Sequence, residues 1–291
     1  MKSLQTRRSS RYISERRRGH DSLQTKSRRR RHDTFPASIR NRVSGSRSLR
    51  RGGEDVTILE VKGLNVGYGK LQVLWDIDLK IEQGKIVALL GANGAGKTTL
   101  LNTITGMLKP MSGEILFKGE RIDNLPSDKV IERGISGLPE GGSLFPDMTI
   151  KENLEMGAYH RKFWSGRKEG LERMYRLFPI LEERKKQLAK TMSGGERQML
   201  AMGRALMSDP SLCLFDELSY GLSPKMAQEV FKVVKQLHAD GITVFLVEQN
   251  VHQTLEIADY AYVIENGRIV KEGEGGSLLE DDYVRQAYLG L

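Results

Sequence analysis

The segment at residues 91–98, with the sequence GANGAGKT, constrains this chain more than any other feature. It matches the pattern G-x-x-x-x-G-K-[ST], in which glycines let backbone N–H groups surround phosphate oxygens. An apolar run at residues 86–90 precedes it, as expected for a buried parallel strand, and Leu100, Ile104 and Leu108 follow at helical spacing. A helix that begins at the loop directs the positive end of its dipole at an anion. The sequence therefore predicts a nucleotide phosphate site in an α/β fold.

Two side chains of this segment have roles beyond surrounding phosphate. Lys97 would place its charge at the β- and γ-phosphates, and the Thr98 hydroxyl would ligate Mg²⁺. We therefore expect ATP and Mg²⁺ as the bound groups. The predicted ATP-binding residues of the loop and the helix start are Gly91, Ala92, Asn93, Gly94, Ala95, Gly96, Lys97, Thr98 and Thr99.

Two carboxylates follow a second apolar run, at residues 212–215. Because parallel strands present their carboxyl ends at one edge of a sheet, we expect Asp216 and Glu217 beside the phosphate loop. Asp216 would hold Mg²⁺, and Glu217 would polarise the attacking water as general base. Cys213, the single cysteine, is interpreted as a small buried apolar residue, and its being alone excludes an intrachain disulfide.

The positive charge is concentrated at the amino terminus. The formal net charge is +9, but residues 1–53 carry about +14 and the remainder about −5 by direct count of charged residues. This first segment has too few apolar residues to offset the entropy of ordering its chain. We therefore predict that residues 1–55 are a disordered, Arg-rich tail.

Several interpretations of this tail are open. It could be a passive disordered tail, or its arginines could grip nucleic acid or an anionic membrane. A composition rich in Ser and Arg with few acids is also that of an organellar transit peptide. It could instead be a translated leader, because Met107 is the next methionine after Met1 and Val56 offers an alternative start. Apolar runs elsewhere are too short to cross a membrane, so a membrane role would need another chain.

A third motif, MSGGERQ at residues 192–198, lies just before the carboxylate strand. Ser193 can cap a helix whose glycine-rich start admits an anion. The segment resembles the signature of ATP-binding cassette (ABC) ATPases, and further matches cover nearly all of residues 58–291. The resemblance implies a head-to-tail dimer in which Ser193, Gly194 and Gly195 of one subunit cap the γ-phosphate bound by the other.

The resemblance also implies the fold and its division. The expected α/β fold is a P-loop NTPase (RecA-like) parallel-sheet core with an antiparallel β subdomain and an inserted helical subdomain at about residues 143–195. The ABC-type ATP-binding domain would span residues 56–291. Alternating apolar residues at 76–81 and the Asn266-Gly267 turn agree with strand and hairpin assignments.

Other positions receive roles from the resemblance alone. Tyr68 would stack on adenine. Glu140 stands where the family has a glutamine that contacts Mg²⁺, and Gln249 stands where it has a histidine that touches the γ-phosphate. Ser223 replaces an aspartate of the loop that follows Glu217. These departures from the family pattern are expected to affect the rate of turnover more than the type of reaction. The predicted catalytic residues are Glu217, Gln249 and Lys97, and the predicted metal ligands are Thr98, Glu140 and Asp216.

The strings LFPDMTIKENLEMG, ALMSDP, FLVEQN and AYLG are similar to ATP-binding subunits of bacterial branched-chain amino acid importers. The implied protein is an ATP hydrolase on the inner face of the cell membrane. Its implied partners are transmembrane permease subunits, an identical or paralogous ATPase subunit and, indirectly, a periplasmic solute-binding protein. Urea and amide importers are the nearest alternatives. A soluble ABC ATPase acting on nucleic acid or ribosomes is a further one, but no second ATPase unit or long coiled coil is visible, so nucleic acid is not an expected partner.

Overall fold

The computed structural model describes residues 56–289. The interpretations of the basic tail at residues 1–55 lie outside this part of the chain. Among the described residues, no helix is both long enough and apolar enough to cross a bilayer.

A six-stranded sheet forms the centre of the fold, in the order β10-β9-β3-β8-β7-β6. Five neighbouring strands of it run parallel, and only β10 is antiparallel, paired with β9 at one edge. Every residue of β3, β7 and β8 is buried, because helices and the second sheet cover both faces. The strands are β3 Ile86–Leu90, β6 Ile135–Leu138, β7 Leu212–Asp216, β8 Thr243–Glu248, β9 Tyr260–Glu265 and β10 Arg268–Glu274.

A smaller antiparallel sheet, in the order β2-β1-β4-β5, packs over one face of the core. Its strands are β1 Thr57–Tyr68, β2 Leu71–Glu82, β4 Ser112–Phe117 and β5 Glu120–Arg121. Along β2, Ile77, Leu79 and Ile81 are buried and the intervening residues are exposed, as their alternation predicts. The fold class expected from the sequence is confirmed.

The helices number α1 to α11 along the described chain. Those from α3 to α7 pack together and share an apolar cluster with the strands β6, β7 and β8. The helices are α1 Lys97–Ile104, α2 Ser127–Arg133, α3 Ile150–Gly157, α4 Arg161–Trp164, α5 Arg167–Leu177, α6 Pro179–Glu183, α7 Gly194–Leu206, α8 Pro224–Ala239, α9 Val251–Leu255, α10 Gly275–Glu280 and α11 Asp282–Val284, with a 3₁₀ turn at Ala189–Thr191 and a π turn at Arg285–Leu289.

The close approach of α3 to α7 requires a glycine. A Cβ atom on Gly157 would lie 2.0 Å from the carbonyl oxygen of Arg204 and 2.9 Å from the Cβ of Met207. Because the obstructing atom is backbone, rotating a side chain cannot relieve the overlap. Gly157 therefore sets the distance between these two helices.

The turn between β9 and β10 is hydrogen-bonded to the phosphate loop. The Gly267 N–H donates to the carbonyl of Ala95 over 3.0 Å, and the Trp75 N–H donates to the carbonyl of Gly267 over 2.8 Å. Asn266 and Gly267 both have positive φ, which is the type of turn that the Asn-Gly pair favours. The turn predicted from Asn266 and Gly267 therefore connects β2 to the phosphate loop through backbone hydrogen bonds.

Candidate active site

The phosphate loop links β3 to α1 with backbone that only glycine adopts readily. Gly94 and Gly96 have φ values of 80° and 107°. A Cβ atom on Gly96 would also lie 2.5 Å from Cδ2 of Leu74, so the loop fits closely against β2. α1 begins at Lys97 without a side-chain cap, which leaves the first N–H groups of the helix available to an anion.

Lys97 lies across the loop and is 4% exposed. Its ammonium donates to the carbonyls of Gly91 and Ala92 over 2.9 and 3.2 Å. Its Nζ atom is also 3.3 Å from Oε1 of Glu217. The structure therefore brings together the phosphate-binding cation and the predicted general base.

Thr98 and Asp216 form the second contact between the loop and β7. The Thr98 hydroxyl donates to Oδ2 of Asp216 over 2.9 Å, while Oδ1 of Asp216 is buried without a hydrogen-bond partner in the described chain. Burial raises the pKa of Asp216, the Thr98 hydrogen bond opposes that rise, and the charges of Glu217 and Glu140 add to it. A buried carboxylate with one unpartnered oxygen is a suitable ligand for a cation.

The metal site predicted from sequence fits a cation that binds together with phosphate. Thr98, Glu140 and Asp216 supply one hydroxyl and two carboxylates. Mg²⁺ in nucleotide sites takes one or two carboxylates and completes its shell with phosphate oxygens and water, which is the donor chemistry of these three residues.

A cavity of about 320 Å³ opens beside these groups. Most of its lining was predicted from sequence, whereas Val73 and Tyr220 were not. No pattern in the sequence singles out these two, because they reach the cavity from β2 and from the turn after β7. The lining residues are Val73, Asn93, Gly94, Gly96, Lys97, Thr98, Thr99, Glu140, Glu217 and Tyr220.

Tyr68 stands at the end of β1, next to the phosphate loop. Its side chain is 51% exposed, and its hydroxyl oxygen is 3.5 Å from Oγ1 of Thr99. An exposed aromatic ring at the start of α1 has a free face on which a base can stack. The adenine contact assigned to Tyr68 from the resemblance stays a prediction.

Arg204 of α7 holds the loop that carries Glu140, a contact that sequence reasoning did not find. Its guanidinium donates to the carbonyl oxygens of Gly142 and Ser143 over 2.8 and 2.9 Å. Gly141, Gly142 and Ser143 all have positive φ, so this short segment is tightly coiled. Because α7 begins with the Ser193 motif, one helix connects that motif to the loop of the predicted metal ligand.

Ser193 caps α7 as its sequence predicts. The Glu196 N–H donates to Oγ of Ser193 over 3.4 Å, and the Ser193 N–H donates to the Glu196 carboxylate over 2.9 Å. A Cβ atom on Gly195 would lie 2.2 Å from Cε of Met226, so a larger residue here would require the Met226 side chain to move. Within the described chain, neither residues 193–195 nor the exposed Gln249 line the cavity.

Cys213 is fully buried in β7, and burial raises the pKa of its thiol to about 12. A thiol that stays protonated at neutral pH is not a nucleophile. This agrees with its interpretation as an apolar core residue.

Comparison with known proteins identifies relatives of this site. A family profile described as ABC transporter matches residues 74–219. The chain is 49% identical to a high-affinity branched-chain amino acid transport ATP-binding protein, BraG, of Pseudomonas aeruginosa, over 77% of this chain and 95% of BraG. It is 37% identical to a probable branched-chain amino acid transport ATP-binding protein, LivF, of Archaeoglobus fulgidus, over 80% of this chain and 99% of that protein.

Among solved structures, the chain resembles a dimeric bacterial ABC transporter cassette, MJ0796, with a TM-score of 0.65 and 26% identity. The likeness covers 74% of this chain and 98% of that cassette.

Proposed function

This chain belongs to the ABC transporter family of ATP-binding proteins, and from that membership we propose that it energises the import of branched-chain amino acids by hydrolysing ATP. The proposal of ATP hydrolysis rests on the contact between Lys97 and Glu217, which both line the cavity beside the phosphate loop. The substrate class is supported by two relatives that carry this role in their names.

The phosphates of ATP are proposed to bind at the phosphate loop and at Lys97. The N–H groups at the start of α1 would donate to the phosphate oxygens, and Lys97 would neutralise their charge. Thr98, Asp216 and Glu140 would hold Mg²⁺ there, and this ion supplies charge neutralisation on the β- and γ-phosphate oxygens. Tyr68 would stack on the adenine.

Glu217 is proposed as the general base. When phosphate binds, the ammonium of Lys97 has a stronger anionic partner, which leaves the Glu217 carboxylate available to a water molecule. The carboxylate would accept a proton from that water as the water oxygen attacks the γ-phosphorus, a contribution of roughly 10²–10⁴-fold in rate. The bond from the γ-phosphorus to the oxygen shared with the β-phosphate would break, and ADP and inorganic phosphate would leave. Gln249 would donate a hydrogen bond to the γ-phosphate.

The second half of each site is proposed to come from another subunit. Ser193, Gly194 and Gly195 form the start of a 13-residue helix, where N–H groups can donate to an anion, yet they do not line the cavity of the described chain. A dimer, like that of the related cassette, would place this helix start against the γ-phosphate of the partner. The partner subunit is either a second copy or a paralogue.

The inserted helices are proposed to transmit ATP binding to permease subunits at the inner face of the membrane. Arg204 joins the Glu140 loop to α7 through two hydrogen bonds, and this contact is the route by which a change at the nucleotide would shift the helical region. Closure on ATP would move these helices together, and hydrolysis would release them.

A transport assay tests this function. In cells that depend on this chain, its deletion is expected to abolish uptake of labelled leucine and valine, and the native gene should restore it. The Lys97→Ala variant, present at equal abundance, should fail to restore uptake. Loss of urea or amide uptake with normal leucine uptake would contradict the substrate class while leaving the ATPase assignment intact.

A further inference from the structure

Two hydrogen bonds join the end of β8 to the turn that carries the general base. Glu248, the last residue of β8, is 1% exposed. Its Oε1 accepts from the Ser219 N–H over 3.0 Å, and its Oε2 accepts from the Ser219 hydroxyl over 2.7 Å. Both oxygens of this carboxylate are therefore committed to one residue, which lies two positions beyond Glu217.

The Glu248 carboxylate is costly where it lies. Burial raises its pKa, the charge of Glu217 adds to that rise, and hydrogen bonds from Ser219 and from the Gln249 backbone oppose it. A buried charge compensated by hydrogen bonds alone is a weak source of stability, because its desolvation offsets much of the gain. The role of the Glu248 carboxylate is better explained by the turn that its hydrogen bonds hold in place.

The turn that it fixes is strained at Glu217. This residue has a φ of 49°, in the left-handed region that non-glycine residues adopt only at a cost in backbone strain. Such a conformation persists only where the surroundings hold it. The Glu217 N–H donates to the carbonyl of Val247 over 2.8 Å on one side, and Ser219 is bound to Glu248 on the other.

We propose that Glu248, acting through Ser219, is a positioning residue that keeps the Glu217 carboxylate in place for catalysis. The inference rests on the proposed ATP hydrolysis. Glu248 does not line the described cavity, and the influence proposed for it on the reaction passes through Ser219 and the turn. A displacement of about 1 Å at a catalytic group can cost about 10²-fold in rate, so a partial loosening of the turn is expected to lower kcat by about 10-fold.

Serine variants separate positioning from stability. Ser219→Ala removes the hydroxyl bond and keeps the backbone bond, and it is expected to lower kcat by about 10-fold while KM and the dissociation constant for ATP stay within about 2-fold. Ser219→Thr restores the hydroxyl and should recover most of kcat. The matched control is Ser136→Ala in β6. This variant also removes one hydroxyl, which donates to the carbonyl of Ala205 in α7 over 2.8 Å.

Variants of Glu248 complete the test. Glu248→Gln keeps the shape, since its amide oxygen can accept from the Ser219 N–H and its NH₂ can donate to the hydroxyl oxygen, so its kcat should exceed that of Glu248→Ala. The double variant Ser219→Ala with Glu248→Ala should lose no more than the worse single variant. Independent losses, or a normal kcat in Ser219→Ala, would overturn the role. A native chain that does not hydrolyse ATP would overturn the proposed function itself, and this role with it.

Discussion

The Nζ atom of Lys97 lies 3.3 Å from Oε1 of Glu217, so the lysine proposed to bind phosphate and the carboxylate proposed to activate water form one ion pair. Both side chains are largely buried. This pairing keeps the two charges compensated until a nucleotide provides phosphate oxygens for the lysine.

Substituting Glu217 should separate binding from hydrolysis. Glu217→Gln removes the base but keeps the size of the side chain, so ATP binding and ATP-dependent dimerisation should persist while kcat falls at least about 10²-fold. Phosphate release and analytical ultracentrifugation measure the two effects. Glu229→Gln on α8, at a half-buried glutamate paired with Lys232, is the matched control. A Glu217→Gln variant with near-normal turnover would show that another group is the base.

Replacing Asp216 should stabilise the nucleotide-free protein while abolishing activity. Because burial raises the pKa of Asp216 above its ordinary value of 3.8, the folded state holds its proton more tightly than the unfolded chain. The stability contributed by this group therefore falls as pH rises from 3.8 through the raised pKa, and the ionised form is a penalty at pH 7. Asp216→Asn should raise Tm at pH 7 by about 2–4 °C.

The pH dependence checks the cause of that gain. The Tm difference between Asp216→Asn and the native chain should shrink as the pH is lowered towards 4, whereas Mg²⁺-dependent hydrolysis should be absent throughout. Asp282→Asn, at an exposed aspartate, should show neither effect. A gain in Tm that does not change with pH would contradict desolvation of the carboxylate as its origin.

Gly157 should be sensitive to a single added methyl group. Gly157→Ala places a Cβ atom 2.0 Å from the Arg204 carbonyl oxygen, so α3 and α7 must separate, at a cost of about 1–3 kcal/mol in the free energy of unfolding. Chemical denaturation measures the loss. Gly166→Ala is the control, since its new Cβ would be 3.7 Å from the carbonyl of Phe163, an ordinary contact. Equal stability of the two variants would refute the steric argument.

Tyr68 should determine part of the affinity for ATP. Tyr68→Ala removes the ring, and base stacking on an aromatic is worth about 1–3 kcal/mol, so the dissociation constant should rise about 10-fold or more. Tyr68→Phe keeps the ring and should retain most of the affinity. Fluorescence titration with a labelled nucleotide provides the comparison. Tyr159→Ala, at an exposed tyrosine before α4, should bind normally; weakening of the same size there would argue against stacking at Tyr68.

The sequence predicted the local elements of the site because each depends on residues close together in the chain. The phosphate loop between β3 and α1, the carboxylates at the end of β7, and the Asn266-Gly267 hairpin follow from glycine spacing and apolar runs. The helix cap at Ser193 also depends on a neighbour three residues away. Such patterns fix the backbone locally, and the structure agrees with each of them.

Tertiary structure decided which of these elements support one another. Ser219 and Glu248 are 29 residues apart, and Arg204 is more than 60 residues from the carbonyls that it binds. No periodicity encodes such contacts, because they depend on how β7 lies beside β8 and how α7 crosses the Glu140 loop. The residues predicted to carry the phosphate chemistry could thus be named from the sequence, but the groups that hold them in place emerge only when distant segments pack together.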